Sequence, residues 1–130
     1  MIEEIEVKST KRNELIDITD NVKEIAAKSR VKEGLCIVYC PHTTAAVILN
    51  ENADPSVQTD ILNKLNELVP RNANYSHREG NADAHIKSAL IGNSRIILIK
   101  GGHLLLGVWE GIFFVESDGP RSRKLVVLVK

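Results

Sequence analysis

The chain has 130 residues, and its 17 basic and 17 acidic side chains give a formal net charge of zero. This length fits one compact domain, and the 43% hydrophobic and 26% charged content is that of an ordinary globular protein. The lack of a basic excess argues against a nucleic-acid partner, and no apolar run reaches the roughly 18 residues that a membrane span needs.

The first half of the chain predicts strands around one helix. Ile5 and Val7 alternate with charged residues, which indicates a strand, and residues 15–18 indicate a second. Thr19 or Asp20 is expected to cap a helix that runs through residues 22–26. An apolar stretch then predicts a buried strand over residues 34–40, which Pro41 ends.

The two cysteines, Cys36 and Cys40, lie four steps apart on this predicted strand. Their separation of about 13 Å exceeds the roughly 7 Å that a disulfide spans between Cα atoms. We therefore expect two buried free thiols, as in a reducing compartment. The N-terminus also lacks the basic and apolar regions of a signal peptide, so the sequence predicts a cytoplasmic protein.

The second half alternates strands with two helices. A strand over residues 45–49 leads to Asp54 and Pro55, a strong helix start, and an apolar stripe continues until Pro70. The polar residues 71–81 precede a helix over residues 82–91, closed by Gly92. Strands follow at residues 95–100, 104–116 and 125–129. Strands outnumber helices in an irregular order, which favours a single α+β domain with a mixed or largely antiparallel sheet, sandwich-like or barrel-like, and two to three helices.

Three of the four histidines lie among clustered polar residues: His42 follows a buried strand, and His77 and His85 flank a segment of Glu, Asn and Asp. Imidazoles beside carboxylates suit a zinc-type metal or general acid–base catalysis. Their spacing matches no known ligand signature, so the alternative is a solvated His77 and a His85 that packs within or caps its helix. Nucleophilic catalysis is not expected, because neither cysteine has a basic neighbour.

Several residues indicate a site for an anion such as phosphate. Gly80 and Asn81 precede a predicted helix whose free N–H groups suit phosphate, and Lys87 lies further along it. Arg121 belongs to a turn that is followed by a strand, and we expect it to share a strand face with Arg123. The alternative for Gly80 and Asn81 is an ordinary glycine turn, and the alternative for the two arginines is a solvated surface. No Walker-type or dinucleotide-type glycine loop is present, so no nucleotide cofactor is expected.

Five segments together resemble the YjbQ family, also called secondary thiamine-phosphate synthases. They are PHTTAA at residues 41–46, NENADP at residues 50–55, HREGNADAHIK at residues 77–87, GVWEGIFF at residues 107–114 and DGPR at residues 118–121. The likeness runs from about residue 34 to the C-terminus and implies one YjbQ-like domain over residues 1–130. It also implies a homotrimer with sites near subunit boundaries and a compact α+β fold.

The resemblance further implies a thiamine-phosphate synthase-type transferase, which joins a hydroxymethylpyrimidine diphosphate to a thiazole phosphate and releases pyrophosphate. A small phosphorylated substrate and a divalent metal, zinc or magnesium, are implied with it. The residues that fall on the family's polar motifs give the expected site. The expected catalytic residues are His42, Glu51, His77, Asp83 and His85; the expected phosphate-binding residues are Thr44, Gly80, Asn81, Lys87 and Arg121; the expected metal ligands are His77, His85 and His42.

In this scheme Lys87, Arg121 and the helix start at Gly80 face the departing pyrophosphate, and the metal polarises the same oxygens. Glu51 or Asp83 would orient a histidine. Two other functions use the same residues: a metal-dependent phosphohydrolase, and a non-enzymatic trimeric ligand-binding module. His103 matches no motif of the family and is left outside the site.

Overall fold

Two antiparallel sheets face each other across the core in the computed structural model, which describes residues 1–130. The elements in chain order are β1 (Ile2–Lys8), β2 (Glu14–Asp17), α1 (Thr19–Ser29), β3 (Glu33–Tyr39), β4 (Ala45–Glu51), α2 (Pro55–Leu68), α3 (Ala82–Ile91), β5 (Ser94–Lys100), β6 (His103–Leu104), β7 (Glu110–Glu116) and β8 (Ser122–Val129). One sheet has the order β1-β8-β3-β5-β6, and the other has the order β2-β7-β4. The predicted α+β fold with a largely antiparallel sheet and up to three helices is confirmed.

The core lies between the inner faces of the two sheets. Strand alternation sends Cys36 and Val38 of β3 inward, opposite Ile112 and Phe114 of β7, and all four are buried. Helix α1 contributes Val22, among others, to the same cluster. Both cysteines are free and buried, as predicted.

Helix α1 begins differently from the prediction. Ile18 occupies the N-cap position, and the carboxylate of Asp17 accepts a hydrogen bond of 2.9 Å from the Thr19 N–H. Thr19 is instead buried, and its hydroxyl accepts a 2.9 Å hydrogen bond from the N–H of Ile112 on β7. The expected cap by Thr19 or Asp20 is therefore wrong, because the capping acceptor comes from the end of the preceding strand.

The stretch expected as one long strand over residues 104–116 divides into β6 and β7. Strand β6 ends after Leu104, and β7 begins at Glu110. At Gly111 the β7 backbone approaches Asn52 so closely that a Cβ atom would lie 2.6 Å from the Asn52 amide nitrogen. Glycine is therefore required there by close packing. None of the three helices has the length and apolar character needed to cross a membrane.

Candidate functional site

The loop between β3 and β4 fixes His42 against the neighbouring strand β8. The Nε2 atom of His42 lies 3.0 Å from the backbone nitrogen and 3.1 Å from the backbone oxygen of Lys124. Burial, and then the charge of Arg123, lowers the pKa of His42. The imidazole is therefore neutral near pH 7, and its Nδ1 atom makes no hydrogen bond within the chain.

His42 and His85 line one cleft of about 370 Å³ between the β3–β4 loop and α3. The helix is fixed beside the loop because the hydroxyl of Ser88 donates a 2.7 Å hydrogen bond to the Ala45 carbonyl. Ser88 and Asn93 also line this cleft. Two imidazoles that are 43 positions apart in the chain thus face the same space.

His77 lies beside His85 and lines a second, neighbouring cleft. Its ring meets the ring of His85 edge to face, with centroids 5.4 Å apart and an interplanar angle of 87°. His77 also lines a cleft of about 540 Å³ together with Arg71 and Arg78. Neither arginine has a carboxylate partner within 4 Å, although Glu79 lies 3.7 Å from the His77 imidazole. We call these two neighbouring clefts, with their three imidazoles, the histidine cleft.

Lys87 lies behind α3 rather than in the histidine cleft. Its side chain is 1% exposed, and its ammonium donates hydrogen bonds to Asn13, at 3.0 Å, and to Asn66. Burial lowers the pKa of Lys87, and the Asp83 carboxylate, whose nearer oxygen is 3.8 Å away, opposes that shift. The structure therefore places Lys87 in a buried network without access to a ligand.

Asp83 is held by Arg12, a residue that sequence reasoning missed. Arg12 reaches from the turn after β1 and places its guanidinium 2.9 Å from one Asp83 oxygen and 3.4 Å from Asp118. The same guanidinium donates a 3.4 Å hydrogen bond to the Gly80 carbonyl. Asp83 is 1% exposed and makes no hydrogen bond with an imidazole, so its role here is to attach the start of α3 to the first turn.

The start of α3 carries Asn81 at the N-cap position without a side-chain cap hydrogen bond. The Asn81 amide instead donates to Asp118 at 2.9 Å, and Arg121 pairs with the same carboxylate at 2.9 Å. Burial alone would raise the pKa of Asp118, but the hydrogen bonds from Asn81 and Arg121 lower it. Gly80, with φ +80°, makes the turn that leads into the helix and lines the larger part of the histidine cleft.

Thr44 is buried and bound to Arg123. The guanidinium of Arg123 donates a 2.8 Å hydrogen bond to the Thr44 hydroxyl and pairs with Glu116, which is fully buried. Glu116 also accepts hydrogen bonds from the Ser9 hydroxyl at 2.7 Å and from two backbone N–H groups at 3.1 Å. Arg123 therefore faces inward from β8, whereas Arg121 lies before that strand, so the expected shared face is wrong.

Glu51 lies at the opposite end of β4 from the histidines. It pairs in register with Glu110, while Ala45 at the other end pairs with Glu116. Six strand steps separate Glu51 from Ala45 by about 20 Å. Within one chain, the structure thus brings His42, His77 and His85 together with Gly80 and leaves Glu51 apart.

The expected metal site of His77, His85 and His42 is not found. No group of three or more His, Cys, Asp or Glu side chains is arranged so that it could hold a metal ion. The Nε2 atom of His42 is bound to the backbone of strand β8. His77 and His85 meet edge to face, and their nitrogens do not point together at one metal position. We therefore correct the metal-binding prediction.

His42→Asn is expected to reduce the pH dependence of stability. The pKa of folded His42 lies below its ordinary 6.5, so the unfolded chain takes up this proton first as the pH falls. The free energy of unfolding should therefore decrease from about pH 7 down to the lowered folded pKa, and the variant should lose this decrease. Urea unfolding at a series of pH values measures it, with exposed His103→Asn as the control. If the free energy of unfolding depends on pH equally in His42→Asn and in the unsubstituted protein, the lowered pKa of folded His42 is contradicted.

Comparison with known proteins finds similar proteins of one family. The family model described as "UPF0047 protein YjbQ-like" matches residues 3–130. A UPF0047 protein of Methanocaldococcus jannaschii is 52% identical over 129 residues, covering 99% of this chain and 94% of the relative. The UPF0047 protein YugU of Bacillus subtilis is 44% identical, covering 95% of this chain and 94% of the relative.

Solved structures agree over the whole fold. An uncharacterised conserved protein of the YjbQ/UPF0047 family from Clostridium acetobutylicum superposes with a TM-score of 0.97 at 47% identity, covering 98% of this chain and 99% of that one. A protein of unknown function from Sulfolobus solfataricus gives a TM-score of 0.97 at 36% identity, covering 99% of this chain and 95% of that one.

These findings correct the expected activity. The two solved structures are described as an uncharacterised protein and a protein of unknown function. None of the relatives' descriptions indicates a thiamine-phosphate synthase or any other transferase. The metal-dependent phosphohydrolase alternative also loses its basis, because the histidines do not form a metal site.

Proposed function

Because the chain belongs to the UPF0047 family of YjbQ-like proteins, and the relatives compared above are named without an activity, we propose its function from geometry. The histidine cleft binds a small phosphate-bearing molecule and supports acid–base chemistry on it. The observation that carries this proposal is the convergence of His42, His77 and His85 on adjoining clefts. Such a concave site with a few polar groups is the usual form of a small-molecule site.

The charge around the cleft favours an anion. Arg71 and Arg78 contribute two positive charges that no carboxylate of the chain neutralises within 4 Å, and an arginine fork matches phosphate oxygens. The first turn of α3 lies beside them at Gly80, and its N-cap residue Asn81 leaves the helix N–H groups without a side-chain acceptor. A helix start that carries free N–H groups favours negative charge, typically by about 0.3–1 kcal/mol.

The imidazoles supply the chemistry. The lowered pKa of His42 keeps its ring neutral near pH 7, so that its free nitrogen can accept or donate a proton within the cleft. His85 faces the same space from α3. Two imidazoles on one ligand are suited to proton transfer at, or next to, a phosphate group.

Isothermal titration calorimetry with inorganic phosphate tests the binding part of this proposal. We expect saturable binding at one site per chain that weakens at high salt, because the interaction is largely electrostatic. Absence of binding, or binding that is equally strong in an Arg71→Gln, Arg78→Gln double variant, would contradict the proposal. A double substitution of exposed Lys64 and Lys23 to Gln is the matched control for the lost charge.

We also propose that the protein assembles as a homotrimer through the outer face of the β1-β8-β3-β5-β6 sheet. Apolar residues of β3 and β5 occupy the central part of this face, whereas β1 contributes the charged residues Glu4, Glu6 and Lys8 at one edge. Ile96 is 61% exposed and Leu98 is 53% exposed, while their partners across the ladder, Ile37 and Leu35, point the same way. An exposed apolar patch of this kind is typical of a subunit interface.

Leu98→Glu is expected to reduce the mass in solution from three times the 14.4 kDa chain mass toward the single chain mass. A carboxylate in the centre of an apolar interface would be buried without a partner. Light scattering coupled to size-exclusion chromatography measures the mass, with Leu68→Glu on α2 as the control, because Leu68 is 67% exposed and lies away from this face. A single-chain mass for the unsubstituted protein would contradict the proposal.

We propose a cytoplasmic location because both cysteine thiols of the chain are free. Cys36 and Cys40 are buried and unpaired, and burial raises the pKa of each to about 11. Free thiols are typical of proteins from a reducing compartment.

A further inference from the structure

A second concave site lies on the far side of the β2-β7-β4 sheet, beneath α2. This groove has a volume of about 380 Å³ and, unlike the histidine cleft, is mainly apolar. Its apolar lining comes from both sheet and helices: Ile48, Leu49, Ile61, Leu65, Ile91 and Val115. We call it the α2 groove. It shares no lining residue with the histidine cleft.

The α2 groove stays open because α2 packs loosely on the sheet. The helix spans 14 residues with an apolar stripe, yet none of its residues is fully buried. Ile61 and Leu65 remain partly exposed where they face the groove. An apolar stripe normally closes against the body of a protein, so apolar surface remains here for a ligand to cover.

One charged side chain, Arg95, lies among the residues that line the α2 groove. Its guanidinium donates only to backbone carbonyls, to Ser94 at 2.8 Å and to Ile91 at the end of α3. No carboxylate of the chain lies within 4 Å of it. Arg12, Arg121 and Arg123, in contrast, each pair with a carboxylate. Arg95 thus stands out as a half-buried guanidinium without a counter-charge.

Arg95 lies close against Gly92, the residue that ends α3. A Cβ atom at Gly92 would lie 3.2 Å from the Arg95 Nη1 atom, and the φ of +96° at this residue also favours glycine. A guanidinium has five N–H donors, and the two carbonyls leave most of them available. A carboxylate is the planar anion that matches this fork.

We propose that the α2 groove binds a small carboxylic acid with an apolar body, whose carboxylate pairs with Arg95 and whose body covers Ile61 and Leu65. The charge complementarity selects an acid over a neutral apolar molecule. The volume lies at the lower end of the range of small-molecule sites, about 300–1,000 Å³, which selects a small ligand over a long-chain lipid.

Octanoate and octan-1-ol, which differ only in the charged head group, test this assignment by calorimetry and by methyl NMR. We expect octanoate to bind about tenfold more tightly than octan-1-ol, as one charge-assisted pair predicts. Methyl signals of Ile48, Ile61 and Leu65 should shift. Arg95→Gln should remove the preference for the acid, Arg95→Lys should retain part of it, and exposed Arg30→Gln should leave it unchanged.

Equal affinity for the acid and the alcohol, absence of binding by both, or shifts confined to Ile96 and Leu98 would overturn the proposal. Arg95 also contacts the end of α3, so circular dichroism must show that Arg95→Gln is folded; if it is not, Arg95→Lys and the comparison of the two ligands decide. The site is independent of the histidine cleft. His85→Asn should therefore bind octanoate normally, whatever becomes of phosphate binding.

Discussion

Glu116→Gln is expected to lower the free energy of unfolding by about 3–5 kcal/mol, the usual cost of removing one partner of a buried ion pair. Glu116 is fully buried and Arg123 is 5% exposed, so the substitution leaves a guanidinium without a counter-charge inside the protein. Burial alone would raise the pKa of Glu116, but hydrogen bonds from Arg123, Ser9 and the Asp118 N–H lower it. The ionised carboxylate is therefore the form that holds this part of the fold together.

The loss of the Glu116 charge also affects the histidine cleft, because Arg123 binds the hydroxyl of Thr44 in the loop that carries His42. Urea unfolding measures the change. In a double-mutant cycle, Glu116→Met combined with Arg123→Met should cost less than the sum of the single substitutions, because neither charge remains buried alone. Glu67→Gln, in an exposed pair with Lys64, should have no measurable effect. A Glu116→Gln variant as stable as the unsubstituted protein would contradict this role.

His85→Asn is expected to weaken phosphate binding by about tenfold to a hundredfold, since a hydrogen bond to a charged group contributes about 1.5–3 kcal/mol. His85 faces the smaller part of the histidine cleft and contacts His77 of the larger part. Replacing His85 thus alters both parts of the histidine cleft. Calorimetric titration with inorganic phosphate measures the loss.

His103→Asn is the matched control for this variant, because His103 is exposed on β6 and makes no side-chain hydrogen bond. The folded state of both variants is compared by their unfolding midpoints. Equal affinity for phosphate in the two variants would show that the anion does not bind at the histidines.

Local sequence rules predicted the elements whose ends are set by neighbouring residues. Asp54 was expected to cap α2, and its carboxylate accepts a 2.9 Å hydrogen bond from the Ser56 N–H, with Pro55 as the first helical residue. The helix ends at Leu68, just before the predicted stop at Pro70. Both signals act within one turn, so they can be recognised without knowledge of the fold.

Features that depend on distant contacts were not predictable. Lys87 was expected to face the phosphate of a substrate, but α3 places its ammonium against Asn13 and Asn66. Arg12 carries no local signal at all, because its partner Asp83 is 71 positions away. The clustering of polar residues identified the histidine segments, whereas the partners that position them follow from the topology of the sheets.

The NMR signals of the four imidazoles during a titration with inorganic phosphate test the central claim most directly. If the cleft binds the anion, the signals of His42, His77 and His85 should shift along one saturable curve while that of exposed His103 stays in place. Signals that do not saturate, or an equal response of His103, would contradict the assignment of this cleft as the functional site.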